Sequence, residues 1–192
     1  MRGEQPLEID RQFGELSVTQ LIVMAGLPGA GKSTIGEIVG ARLGATVVSV
    51  DPIESAILRA GIDADQPTGL AAYLVAEEIA RKELRAGRTV IVDAVNAVEA
   101  ARLQWRDLAE ATEARLRVVE VVCTDESVHR QRLEKRERGL PHLDEITWRA
   151  VEQSLEGYAP WTGPSSALPR ITIDSLKPLG VNVDTVLAFL AD

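Results

Sequence analysis

The chain has 192 residues, of which 45% are hydrophobic and 26% charged, a balance that suits one α/β domain with a full-sized core. Its net charge of −8, from 21 Lys and Arg against 29 Asp and Glu, disfavours passive binding to nucleic acid and leaves room only for a local basic pocket. The single cysteine, Cys123, cannot form an internal disulfide, and no apolar run approaches the roughly 20 residues of a membrane helix, so a reducing, cytoplasmic location is expected.

Residues 1–19 lack the apolar core of a signal peptide and read as a tail or a short packed arm. QLIVMA, residues 20–25, is a continuous apolar run of the kind buried on both faces of a parallel sheet. Ile35, Ile38, Val39 and Leu43 follow at helical spacing, with Gly44 as the stop. ATVVSV, residues 45–50, reads as a second strand, and a helix starts near Pro52 and fades at Gly61. A longer helix, residues 68–86, serves as core or as a cap over a substrate site. RTVIVDA, residues 88–94, is the third strand, residues 97–113 a helix, and LRVVEVVC, residues 116–123, the fourth strand. Charge-rich helix 125–138, helix 144–155, a short fifth strand RITID at 170–174 and a last helix at 183–190 complete the pattern. Strands alternating with helices imply a parallel sheet with right-handed crossovers, and no linker divides residues 20–192.

MAGLPGAGKST, between the first strand and the first helix, fits G-x-x-x-x-G-K-[ST]. Glycines let the backbone turn tightly and gather successive N–H groups into a concave nest, and the helix start adds its positive dipole end. Gly26, Leu27, Pro28, Gly29, Ala30, Gly31, Lys32, Ser33 and Thr34 are therefore expected to hold a nucleoside triphosphate. Lys32 would reach its outer phosphates, and Ser33 would offer an oxygen to Mg²⁺.

The guanine-reading N-K-x-D is missing from the sequence. Asp51 and Asp93 close the second and third strands, where carboxylates of a parallel sheet meet ligands. One can take a proton from an attacking hydroxyl and the other can hold Mg²⁺ or its water, while each also suits a helix N-cap. Arg132 and Arg136 are four apart and share one face of a helix, where guanidinium groups could stabilise a moving phosphoryl group. The competing reading is a solvated face with Glu134 paired to Arg138. His129 and His142 have no metal-ligand spacing. Packing against the sheet is the favoured role of Trp148, Tyr158 and Trp161. The carboxylates of residues 144–152 read as a solvated face.

GLPGAGKST, Asp51, VIVDAVN (90–96), the paired arginines, YAPW (158–161) and ITID (171–174) together resemble the AAA_33 type of P-loop kinase. These kinases are related to the kinase half of polynucleotide kinase and, more distantly, to zeta toxins and gluconate kinases. The resemblance covers residues 20–192 and implies a three-layer α/β/α sandwich around a five-stranded parallel sheet, with a mobile lid at about 125–143. It implies ATP and Mg²⁺, Asp51 as general base, and Arg132 and Arg136 as lid arginines. Asp93 and Asn96 would place substrate or metal, and Asp174 and Ser175 would lie near adenine. The polynucleotide kinase pattern has an arginine three residues after the base. Here Glu54 stands there, and the next arginine is Arg59. With the net charge, Glu54 favours a neutral or cationic small-molecule hydroxyl acceptor over nucleic acid. Three rivals stay open: a polynucleotide or RNA 5′-hydroxyl kinase, a regulatory ATPase without an acceptor, and a nucleotide kinase using Arg81, Arg85 and Arg102. The oligomeric state is not legible.

Overall fold

The computed structural model describes residues 18–137 and 139–192; expectations for the rest of the N-terminal arm and for Arg138 lie outside the described residues. Five strands pair in parallel in the order β2-β3-β1-β4-β5. They are β1 (Gln20–Ala25), β2 (Thr46–Ser49), β3 (Val90–Asp93), β4 (Arg115–Val122) and β5 (Arg170–Asp174). Among the described residues seven α-helices accompany them: α1 (Lys32–Leu43), α2 (Val50–Arg59), α3 (Thr68–Arg85), α4 (Glu99–Thr112), α5 (Glu126–Lys135), α6 (Trp148–Gly157) and α7 (Leu179–Ala191). The expected three-layer α/β/α sandwich is what the chain forms.

Alternation along the strands divides the core in two. Leu21, Val23, Val90, Val92 and Val118 face α3 and α4, and Ile22, Met24, Ile91, Val119 and Val121 face α1 and α7. Helix α3 meets the sheet through Ala72, Ala76, Ala80 and Leu84, a stripe four residues apart whose small side chains allow close approach. A third, smaller cluster joins Leu133 of α5 to Trp148 and Val151 of α6, with Leu27 packed against it. Trp148 is thus a packing residue, but against α5 and not against the sheet as the sequence suggested. Among the described residues, no helix is long and apolar enough to cross a membrane.

Helix boundaries depart from the sequence expectation where side chains intervene. Asp51 lies not at a strand end but in the first turn of α2, because β2 stops at Ser49. Helix α4 begins at Glu99 and not at residue 97, since Val98 is extended at φ −115° and ψ 155°. Thr147 caps α6 by accepting from the Ala150 N–H, which delays that helix past residue 144. Helix α7 starts at Leu179, with the Asn182 side chain holding the carbonyls of Asp174 and Lys177. Helix α5 ends at Lys135, and Arg136 is extended at φ −78° and ψ 128°. Arg132 and Arg136 therefore do not share a helix face. A short 3-10 turn, Gly163–Ala167, has no counterpart in the sequence reading; Glu99 anchors it by accepting from the Ser165 N–H at 2.9 Å and from its hydroxyl.

Arg102 locks the segment after α6 to the segment after β3. It is 2% exposed and donates to four carbonyls: Asn96 and Ala97 on one side, Ala159 and Pro160 on the other. Its guanidinium also lies 3.9 Å from the Trp161 ring centroid. Arg102→Met keeps the stem but takes the donor from the Asn96 and Ala159 carbonyls, while those of Ala97 and Pro160 still accept from the N–H groups of Ala159 and Thr162, so it is expected to destabilise the fold by about 2–4 kcal/mol, read from the urea midpoint.

Candidate active site

Helix α1 opens at Gly31, whose φ of 102° belongs to the left-handed side, and no side chain caps it. Its first N–H groups, orphans in any helix, face the loop. The loop is wedged at its root: Gly26 donates its N–H to Val95 O at 3.1 Å, and a Cβ at Gly26 would overlap the carbonyl oxygen of Val121. Lys32, 8% exposed, folds over the loop and donates from Nζ to Leu27 O at 2.9 Å.

A cleft of 510 Å³ opens above the loop. Gly29, Gly31, Lys32, Ser33 and Thr34 line its floor, and Arg132, Arg136 and Ser175 its walls, together with Lys177 and Asn182. The structure thus brings the loop and both arginines together although Arg136 lies beyond the helix. Other loop residues point elsewhere. Gly26, Leu27 and Ala30 line a second cavity of 210 Å³ with Glu120, His129 and Tyr158, and Pro28 is buried.

Arg132 donates from Nη1 to Ser175 Oγ at 2.8 Å and from Nη2 to Ser175 O at 3.1 Å, so the arginine and the β5–α7 turn form one wall. Asp174 does not line this cleft. Its carboxylate accepts from the Thr124 hydroxyl at 2.5 Å and the Leu176 N–H at 3.0 Å; the Thr124 bond above all holds it below the usual range. Its role is to tie the β4–α5 and β5–α7 turns together, while Ser175 reaches the cleft. Arg130 faces outward and pairs with Glu134 at 2.9 Å.

On the other side of the loop, Asp93 ends β3, level with Met24 of β1 and Ser49 of β2. It is 8% exposed and accepts from Ser49 Oγ at 3.3 Å. Asp51 is half-buried. Burial pushes the Tyr73 phenol up, and the charges of Asp51 and Asp93 push it further, so all three share one neighbourhood.

Asn96, expected to place substrate or metal, is instead fully buried, donating from Nδ2 to Met24 O at 2.7 Å and accepting from Trp105 Nε1 at 2.8 Å. It shapes the crevice from beneath and offers no surface to a substrate. Glu54 is turned toward α3, where it accepts from Thr68 Oγ1 at 2.8 Å. Of the arginines expected for a second phosphate, Arg102 is consumed by carbonyls and Arg81 is paired with Glu77 and Glu78. Arg85 ends α3, shortly before β3 begins at Val90, at the other end of that strand from Asp93.

Two polar groups escaped the sequence reading. Glu120, on β4, accepts from Tyr158 Oη at 3.1 Å, Trp161 Nε1 at 2.6 Å, Arg170 Nη1 at 2.5 Å and Thr172 Oγ1 at 2.8 Å. Burial pushes its carboxyl up, but these donors outweigh burial and hold it below the usual range. Tyr158 and Trp161 therefore pack on the sheet, as expected, around a buried carboxylate that only the β4 alternation could have hinted at. His129 is the other, 5% exposed, with Nε2 2.7 Å from Pro28 O.

The site's chemistry fits a nucleotide with Mg²⁺. The nest of N–H groups and Lys32 suit phosphate oxygens, while the Ser33 hydroxyl and Asp93 carboxylate are hard oxygen donors of the kind Mg²⁺ takes. Among the described residues, no group of three or more His, Cys, Asp or Glu could hold a metal unaided. Mg²⁺ usually keeps few protein ligands and shares phosphate oxygens.

The AAA_33 family model, described as an AAA domain, matches residues 21–160. No curated protein matches the sequence at significance. Among solved structures, a gluconokinase from Sinorhizobium meliloti 1021 superimposes with TM-score 0.67 at 22% identity, covering 91% of this chain and 93% of that one. Chaetomium thermophilum Kti12 in complex with ADP-AlF3 gives 0.66 at 18% identity, covering 90% and 100%. The Mycobacterium tuberculosis APS kinase CysC in complex with AMPPNP and APS gives 0.64 at 16% identity, covering 91% and 99%. These likenesses establish the fold.

Proposed function

Because the chain belongs to the AAA_33 family, we propose that it is an ATP-dependent kinase that moves the γ-phosphoryl group of ATP to a hydroxyl of a small molecule, in the cytoplasm. The observation that carries this reading is a glycine-loop cleft at the end of β1 together with a carboxylate at the end of each neighbouring connection: Asp93 closes β3, level with Met24, and accepts from Ser49, and Asp51 follows Ser49 in the first turn of α2. The gluconokinase and the APS kinase on the same fold support a small-molecule acceptor.

In this reading the loop amides from Gly29 to Thr34 and the Lys32 ammonium hold the phosphates. Asp51 takes the proton of the acceptor hydroxyl as its oxygen attacks. Arg132 and Arg136, on the cleft wall, stabilise the charge spread over the transferred group. Ser33 and Asp93 would hold Mg²⁺, which when bound neutralises phosphate charge. Within the lid segment, about residue 125 to 143, α5 is fixed to the loop through His129 and Leu133, so the closing part that excludes water from the transfer is the stretch after α5 that carries Arg136.

The acceptor is read as neutral or cationic and free of phosphate. Arg81, Arg85 and Arg102 are engaged or remote, which removes the basis of a nucleotide kinase. Glu54, turned to Thr68, no longer bears on nucleic acid, so that argument rests on the net charge of −8.

The test is ADP release over a panel of sugars, nucleosides, amino alcohols and hydroxylated antibiotics, with Lys32→Ala as the control. At least one acceptor is expected to raise ADP release about tenfold or more over the ATP-alone rate, an effect lost in Lys32→Ala. ATP hydrolysis that no acceptor accelerates would favour the regulatory ATPase, and selective, salt-sensitive turnover of 5′-hydroxyl oligonucleotides the polynucleotide kinase.

A further inference from the structure

His129 lies on α5, yet its imidazole is spent on the glycine loop. Nε2 sits 2.7 Å from Pro28 O. A carbonyl can only accept, so Nε2 carries the proton. The ring is held from the far side by Trp148 of α6, edge to face at 5.4 Å and 86°. The loop tip meets the same helix at Gly29. A Cβ there would stand 3.1 Å from Leu133 Cδ1 and 3.3 Å from His129 Nε2, and φ is 80°.

A trans peptide points its carbonyl and its N–H in opposite directions, and no described peptide bond is cis. Anchoring the Pro28 carbonyl on α5 therefore turns the Gly29 N–H away from α5. Gly29 lines the cleft, so that N–H faces the side where phosphate is expected. Arg132, one turn along α5 from His129, lines the same cleft. One rigid helix thus carries both the anchor of the loop tip and a guanidinium of the opposite wall.

We propose that His129 is a positioning residue for polyphosphate binding: it fixes the Pro28–Gly29 peptide with its N–H toward the ligand and sets the loop's distance from Arg132. This rests on reading the cleft as a nucleotide site. The histidine itself touches no ligand; it acts through Gly29.

Two variants separate the hydrogen bond from the packing. His129→Phe keeps a ring against Trp148 and removes the donor. His129→Gln loses the ring but places an amide N–H near the position of Nε2. Calorimetry with ATP and with inorganic tripolyphosphate, thermal melts, and the Gly29 amide resonance in ¹⁵N-labelled protein give the readouts. His129→Phe is expected to weaken both ligands about tenfold and to abolish the tripolyphosphate-induced shift of the Gly29 resonance, with the protein still folded and its melting temperature lowered by roughly 3–10 °C. His129→Gln is expected to restore most of the affinity and the shift. Wild-type affinity in His129→Phe overturns the proposal, and so does a folded His129→Gln that binds as poorly as His129→Phe. Wild-type protein that takes up neither ATP nor tripolyphosphate instead removes the nucleotide-site reading itself, an outcome visible before any variant is made.

Discussion

Asp51→Asn is expected to lower phosphoryl transfer to an identified acceptor by about a hundred- to ten-thousandfold while leaving ATP affinity near the wild-type value. The substitution replaces a basic carboxylate by a neutral amide that cannot take up the hydroxyl proton, with almost no change in size. Asp51 lies in the first turn of α2, half-buried, and the cleft that contains the loop, Lys32 and both arginines is lined without it. Binding and proton transfer should therefore separate. The fold should tolerate the change, because a carboxylate in a helix's first turn contributes only about 0.3–1 kcal/mol through the dipole. Single-turnover kinetics with saturating ATP isolate the chemical step, and calorimetry reports affinity. Transfer at the wild-type rate would remove Asp51 as the base and move attention to Asp93.

Gly26→Ala is expected to cost about 3–6 kcal/mol, enough to leave the domain largely unfolded at 37 °C. Two effects add. Gly26 has a φ of 128°, a conformation that side chains rarely adopt. The new Cβ would also overlap a carbonyl oxygen of β4, a strand held between β1 and β5 that cannot move aside without breaking its ladders. Gly44→Ala is the matched control. It too has a positive φ, 63°, but nothing lies within 4 Å of its Cβ position. That variant should lose only about 1–2 kcal/mol. Urea midpoints for the pair give the comparison, and equal losses would refute the wedge between the loop root and β4.

Much of the fold was legible because its signals are local. The apolar run at 20–25 and the short RITID segment at 170–174 match strands residue for residue, and the other three strands fall within two residues of the reading at each end. The glycine loop was legible for the same reason: three glycines, a lysine and a serine at fixed spacing act through main-chain geometry, which neighbours in sequence determine. The loop was nevertheless read as a uniform ligand surface. In the structure Gly29 to Thr34, apart from Ala30, line the cleft, whereas Pro28 is turned to α5.

Asn96 shows where that reading stops. Its place in VIVDAVN made it look like a companion of Asp93, but its partners Met24 and Trp105 come from β1 and α4. Arg102 looked available for phosphate, and its carbonyl partners at 159 and 160 lie more than fifty residues away. Arg136 was assigned to a helix face by counting, and α5 ended before reaching it, although the cleft recovered it by another path. Nothing near His129 in the sequence marks it, because its acceptor is 101 residues distant.

From its residues alone this chain specifies a parallel α/β sandwich and a phosphate-binding turn, because hydrophobic period, glycine and helix start act over a few neighbouring positions. Tertiary structure alone decided which polar side chains remain for chemistry. A buried donor or acceptor must find a partner wherever the fold brings one, so Asn96, Arg102 and His129 are committed to main-chain carbonyls on other elements, and Asp93 at the end of β3 accepts from Ser49 of the neighbouring strand.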